Sequence, residues 1–154
     1  MKTLLALCVS VTILGACSPA PAPPPTDWEP QIRAANDALL NQGDVDMVPE
    51  FFLPTYVNHA TDGEARGREV IADFVTALRA AFPDLQVDIE VLATEGDRVA
   101  WLRTHRGTHE GDFMGVPASG RPIVWRSMVV TRYEGGMIAE EWGVSDLGAR
   151  LRAQ

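Results

Sequence analysis

The chain has 154 residues, with 13 basic against 21 acidic side chains and a formal charge of −8 near neutrality, which leaves room for one domain beside any targeting segment. Its two cysteines, Cys8 and Cys17, both fall near the start, so the rest of the chain offers no disulfide framework, thiolate nucleophile or cysteine metal site. The acidic balance is repelled by phosphate backbones and anionic lipid, which argues against nucleic acid as a partner.

Lys2 is the only early charge, and Leu4 to Ala16 is an apolar run shorter than the roughly 18 residues a bilayer span needs. A charged start, a short apolar middle and small residues at the end describe a signal peptide. It closes on Leu14-Gly15-Ala16-Cys17, which resembles a bacterial lipobox. Residues 1–16 therefore read as a lipoprotein signal peptide, with Cys17 as the lipidated first residue of the mature chain. Residues 17–27 carry Ser-Pro-Ala-Pro-Ala-Pro-Pro-Pro-Thr, a semi-rigid polyproline spacer. Without Lys2 the balance becomes 12 basic against 21 acidic residues, or −9. The expectation is an extracytoplasmic lipoprotein, held through Cys17 at the outer membrane or cell surface, with its folded domain in 28–154.

In that domain Asp27 and Pro30 open a helix whose Ile32, Ala35, Leu39 and Leu40 share a face, and Gly43 stops it. Asp44 to Pro54 predicts a short second helix, Tyr56 to His59 a brief extended piece, and Gly63 to Gly67 a turn. Arg68 to Ala81 is the clearest helix, with Val70, Ile71, Phe74, Leu78 and Phe82 as its apolar stripe. The period then changes to two. Strands are predicted over Leu85 to Thr94, Arg98 to His109, Arg121 to Tyr133 and Met137 to Asp146, followed by a helical turn. Turns at Glu95-Gly96-Asp97 and Glu134-Gly135-Gly136 and a loop at Glu110 to Gly120 separate the strands. Helices first and a long-stranded meander afterwards predict an α+β domain, a cone-shaped curved antiparallel sheet wrapped around the N-terminal helices. A cone of this kind encloses an apolar cavity for a small apolar or amphipathic molecule.

The wording of several segments is also familiar. Asn41-Gln42-Gly43-Asp44, Tyr56-Val57-Asn58-His59, Gly67-Arg68-Glu69, Phe82-Pro83-Asp84-Leu85, Arg106 to Gly111, Phe113 to Pro117, Gly120-Arg121 and Gly135 to Asp146 together resemble the SnoaL-like polyketide cyclases (ester cyclases) of the nuclear transport factor 2-like superfamily. The resemblance implies intramolecular aldol closure of a polyketide ester without metal or cofactor, with an Asp near the end of the last strand as acid/base, here Asp146. The family usually reads Glu-His-Trp where this chain has Glu140-Glu141-Trp142.

On an ideal strand Ile138, Glu140, Trp142, Val144 and Asp146 share one face. Asp146 at the end of an apolar face would have a raised pKa and suit proton transfer; a cap for the last helical turn is the other reading. His109, at the rim, is the second candidate, set to polarise a substrate carbonyl. His105 and His109, four apart on a strand, stand about 13 Å apart, too far to share one zinc ion, and no metal site is expected. Asn58, His59, Trp101, His105, Phe113, Trp125, Met128 and Trp142 are the candidate substrate-contacting residues. A binding module of the cell envelope without catalysis remains open beside the cyclase, and apolar residues on both faces of the third strand, such as Val124 and Trp125, allow a homodimer.

The lipobox reading makes a direct prediction. Cys17→Ala should abolish incorporation of labelled palmitate and shift the protein from the membrane to the soluble fraction; unchanged labelling would contradict it.

Overall fold

The computed structural model describes residues 27–60 and 63–154. The expected signal peptide, Cys17 and almost all of the expected proline spacer lie outside the described residues. Helix α1 (Glu29–Asn36) starts with Pro30 in its first turn and with the Asp27 carboxylate accepting the Glu29 amide. It runs on as a wider π turn over Asp37–Asn41. The predicted face is observed: Ile32, Ala35, Leu39 and Leu40 are all buried. A 3₁₀ turn (Val45–Met47) and α2 (Val48–Phe51) follow.

Chain direction changes at Phe52, earlier than the sequence pattern indicates. Strand β1 covers Phe52–Ala60 and β2 Gly63–Arg66, so the expected brief extended piece and turn form a hairpin, with Ala60 opposite Gly63. Pro54 sits inside β1 because the pairing there slips between Phe52 and Val57, and a ladder irregularity is where a residue without an N–H can be placed. Helix α3 spans Glu69–Ala81. Its fully buried side is Val75, Leu78 and Ala81, with Phe82 just beyond. The rest of the predicted stripe, Val70, Ile71 and Phe74, lines a cavity, with Val70 and Ile71 also packed against the edge of the core.

The long strands are β3 (Gln86–Glu95), β4 (Arg98–Thr108), β5 (Pro122–Glu134) and β6 (Met137–Ser145), with α4 (Leu147–Arg152) at the end. They pair in the order β2-β1-β6-β5-β4-β3. Every neighbour pair is antiparallel except β1 with β6, which is parallel. The sheet curves around α1 and α3, as an α+β cone does. On β5 the two faces differ sharply: Trp125 is buried, whereas Val124 is 51% exposed.

Several motif residues turn out to be fasteners. Asn41 imitates a strand edge, its side-chain amide bonding the Val87 carbonyl at 3.2 Å and accepting the Val87 N–H at 2.7 Å. Arg79 donates from α3 to the Leu40 and Asn41 carbonyls. It passes over Gly43 (φ +75°), where a Cβ would lie 2.7 Å from the Arg79 Cδ. Asp84 accepts both the amide and the hydroxyl of Thr108, and these bonds hold its carboxyl below the usual carboxylate range. Trp28 stacks on Tyr133 at 4.1 Å and donates to the Gly96 carbonyl, tying the residue before α1 to the β3–β4 turn.

Asn41→Ala strips two backbone groups of β3 of their partners and should cost about 1–3 kcal/mol, read as a lowered urea midpoint. Unchanged stability would mean water replaces the side chain without loss.

Candidate functional site

A cavity of about 560 Å³ opens between α1, α3 and the concave face of the sheet. Its apolar wall comes from the helices through Ile32, Leu39, Val70 and Phe74. Most polar groups come from the strands: Tyr56 and Asn58 on β1, Glu64 on β2, Trp101 and Arg103 on β4, Ser127 on β5, and Glu141 and Ser145 on β6; α1 adds Asn36.

Glu141 reaches the cavity through a fault in the ladder. Arg132 pairs with Glu140 and Tyr133 with Ile138, which leaves Ala139 as an extra, unpaired residue. One inserted residue exchanges the two faces of everything that follows. Glu140 and Trp142 are thereby sent to the outer face, and Glu141 and Gly143 turn inward. A regular strand, as expected from the sequence, would have these faces the other way round.

Both Glu141 carboxylate oxygens are occupied. Tyr56 donates its hydroxyl to Oε2 at 2.9 Å, and Thr131 donates to Oε1 at 2.9 Å. Thr131 in turn accepts the Trp101 indole N–H at 2.9 Å. Burial, and after it the Glu141 charge, push the Tyr56 phenol far above its ordinary range, so it remains a donor. Arg103 lies with its guanidinium 4.6 Å from the centre of the Trp101 ring. Burial lowers its pKa, and the charges of Glu141 and Tyr56 oppose that.

The predicted residues divide. Asn58 and Trp101 line the cavity; the other six candidate substrate contacts do not. His59 and Trp142 stack on each other at 4.7 Å on the outer face. There His59 also meets Glu140 at 2.9 Å and Glu64 at 3.2 Å. His105 and Trp125 stack at 4.6 Å in the core beneath the cavity, and Phe113 packs edge-on against Phe82. Met128 is 49% exposed, in a shallow outer groove with Leu102 and Val144.

The two residues expected to carry the chemistry also require correction. His109 is wholly buried, stacked on Phe82 at 5.3 Å, and does not line the cavity. Asp146 lies in the outer groove at the start of α4. It accepts the Arg126 amide at 2.7 Å and the Arg150 guanidinium at 2.9 Å. Its pKa is lowered where a raised one was expected: partial burial pushes it up, but the bonds from Arg126 and Arg150 outweigh that. Glu141, in sequence only a departure from the family's usual pattern, is the carboxylate held inside the cavity by Tyr56 and Thr131, with Glu64 on β2 also on the lining. A bulge with an alanine at its apex leaves little trace in an amino-acid string.

The arrangement is a largely apolar pocket in which the Glu141 carboxylate, a phenol and a guanidinium converge, with Glu64 and Asn36 also on the lining. The SnoaL-like polyketide cyclase family model matches residues 31–154. The chain belongs to this family. The aklanonic acid methyl ester cyclase DauD of Streptomyces sp. (strain C5) is 32% identical over 106 residues, spanning 65% of this chain and 65% of that relative. IdmH of Streptomyces antibioticus, a candidate polyketide cyclase, is 31% identical with a TM-score of 0.69, covering 83% of this chain and 97% of that one. AclR of Streptomyces galilaeus, a candidate hydroxylase, superposes with a TM-score of 0.68 at 28% identity, over 83% of this chain and 99% of that one. One SnoaL-like scaffold thus stands beside more than one proposed chemistry, and the side chains inside the cone have to decide between them.

The buried His105 supplies a pH test of the core. Burial, with the Arg103 charge second, depresses its pKa from 6.5 to about 3. The folded state therefore stays unprotonated where the unfolded chain binds a proton, and stability is lost as pH falls from about 6.5 towards 3, by up to about 1.4 kcal/mol per pH unit. Urea midpoints between about pH 6.5 and 5, above the range where paired carboxylates contribute, should fall less steeply in His105→Gln. Equal slopes would refute the assignment.

Proposed function

We propose that the domain closes a ring in a small ester or polyketide-like substrate by cofactor-free acid/base catalysis, with Glu141 moving the proton. The observation that carries this reading is the placement of the Glu141 carboxylate inside a largely apolar cavity, bonded to Tyr56 and Thr131. A base in such a site is poorly solvated and held in one rotamer, conditions that favour removal of a proton from carbon. The carboxylate takes a proton from the carbon next to a carbonyl. The resulting enolate carbon attacks a second carbonyl of the same molecule, forming the C–C bond. The new alkoxide then takes a proton back from Glu141, and product and substrate are isomers.

Membership in the SnoaL-like family and the relation to an ester cyclase support this chemistry. A binder without catalysis, the other reading of the sequence, draws its weight from the missing imidazole at position 141. A carboxylate aimed at the same cavity, with a phenol donor beside it, can do the same work. The lipobox at Leu14 to Cys17 would place the reaction in the cell envelope.

Glu141→Gln should lower kcat for ring closure of an aromatic β-keto methyl ester by about 100-fold or more, with circular dichroism showing that the variant is folded. Glu141→His, which restores the family's usual residue, should retain part of the rate. Asp146→Asn should leave kcat close to that of the wild type. Full activity in Glu141→Gln would reject the proposal.

A further inference from the structure

Arg103 has a charge without an assigned task. It projects from β4 into the cavity opposite Ser127 on β5. Among the described residues its guanidinium takes part in no ion pair, and its Nε is buried with no hydrogen-bond partner. Such a group is costly: guanidinium carries five donors and a permanent charge, and interiors tolerate it when it is paired. Its position is nevertheless fixed. The cation rests over the face of Trp101, whose own orientation is set by its indole bond to Thr131. Glu141 is the nearby carboxylate, yet its oxygens are met by Tyr56 and Thr131. The fork of Arg103 is left directed at space a ligand can fill.

We propose that Arg103 is the oxyanion receptor of this cavity, and that the substrate is an enolisable β-dicarbonyl compound bound there as its delocalised enolate. The inference rests on the ring-closing reading of the same site and deepens it. Charge balance favours it. In the resting cavity the Glu141 carboxylate offsets the Arg103 cation. When the carbon acid gives its proton to Glu141, the carboxylate becomes neutral and the enolate becomes the anion facing Arg103, so the cavity's net charge does not change. A preformed cation that waits for charge to develop needs little reorganisation when the proton moves. Geometry favours it as well, because the two oxygens of a β-dicarbonyl enolate are coplanar and present themselves to a guanidinium as a carboxylate does. The helical wall of Ile32, Leu39 and Phe74 then suits the hydrocarbon remainder.

The test uses ethyl 2-oxocyclohexanecarboxylate, a β-keto ester that ionises but cannot close a further ring, followed by its enolate absorbance across pH. With wild-type protein the midpoint for enolate formation should fall by at least one pH unit, a tenfold change in the ionisation constant. Arg103→Leu should abolish the shift, and Arg103→Lys should keep part of it. Tm and tryptophan fluorescence would show whether each variant folds, and the Lys variant carries the test if the Leu variant does not. An unchanged shift in Arg103→Leu, or in the Lys variant binding of the neutral keto form alone, would overturn the proposal. So would cyclohexanecarboxylate binding more tightly than the keto ester, since that would mark a site for preformed acids. If the shift depends on Arg103 while no ester is cyclised, the ring-closing reading fails and the receptor stands. If cyclisation depends on Glu141 and no shift is seen, the receptor alone fails.

Discussion

A carboxylate can be kept inside an apolar cone only if each of its oxygens is met by a donor, and in this protein those donors come from different strands. Tyr56 supplies one from β1 and Thr131 the other from β5, while Glu141 itself is on β6. Trp101 on β4 holds Thr131, so four adjacent strands are cross-linked through one side chain. Without either donor, an unsatisfied oxygen would cost about 1–3 kcal/mol, more for a charged group. The seat of Arg103 over Trp101 rests on the same chain of bonds.

The network also explains why the polar groups of the cavity concentrate on the sheet. The helices contribute mostly hydrocarbon, with Asn36 as the exception, and the strands contribute most of the polar groups, so a ligand is oriented by where its oxygens point. At about 560 Å³ the space falls within the range of small-molecule pockets. Charge outside the cone is handled separately: Glu140 is bound by His59 first and Arg132 second, which holds its carboxyl below the usual range. The adjacent glutamates of β6 therefore serve opposite faces, one in the pocket and one in a surface ion-pair cluster.

Much of this architecture is readable in the amino-acid string because it rests on periodicity. The face Ile32, Ala35, Leu39 and Leu40 and the period-two strands from Gln86 onward follow from the spacing of apolar residues. The motif residues Asn41, Gly43 and Asp84 are equally legible, although they mark joints between elements and not the site. The cavity is legible only in part. Val70, Ile71 and Phe74 look like core residues in sequence, and only the shape of the cone makes them a wall. The inward turn of Glu141 depends on Ala139 having no partner, and a residue count of one is invisible to a pattern that assumes an even pleat. Asp146 and His109 looked suitable by residue type and position, but neighbours distant in sequence, Arg126 and Phe82, determine their surroundings.

The parallel pairing of β1 with β6 sets the order in which the molecule can be assembled. About eighty residues separate the partners, as in Asn58 opposite Glu141, and contacts of such span form late and slowly. The β1–β2 hairpin has no other neighbour in the sheet, so until the last strand has been synthesised it remains detached from the meander. A nascent chain thus holds the β1–β2 hairpin and the β3–β5 strands unjoined until β6 emerges. The strand that brings the acid into the pocket is also the one that completes the fold, so chains lacking it would have neither a closed sheet nor a reactive carboxylate.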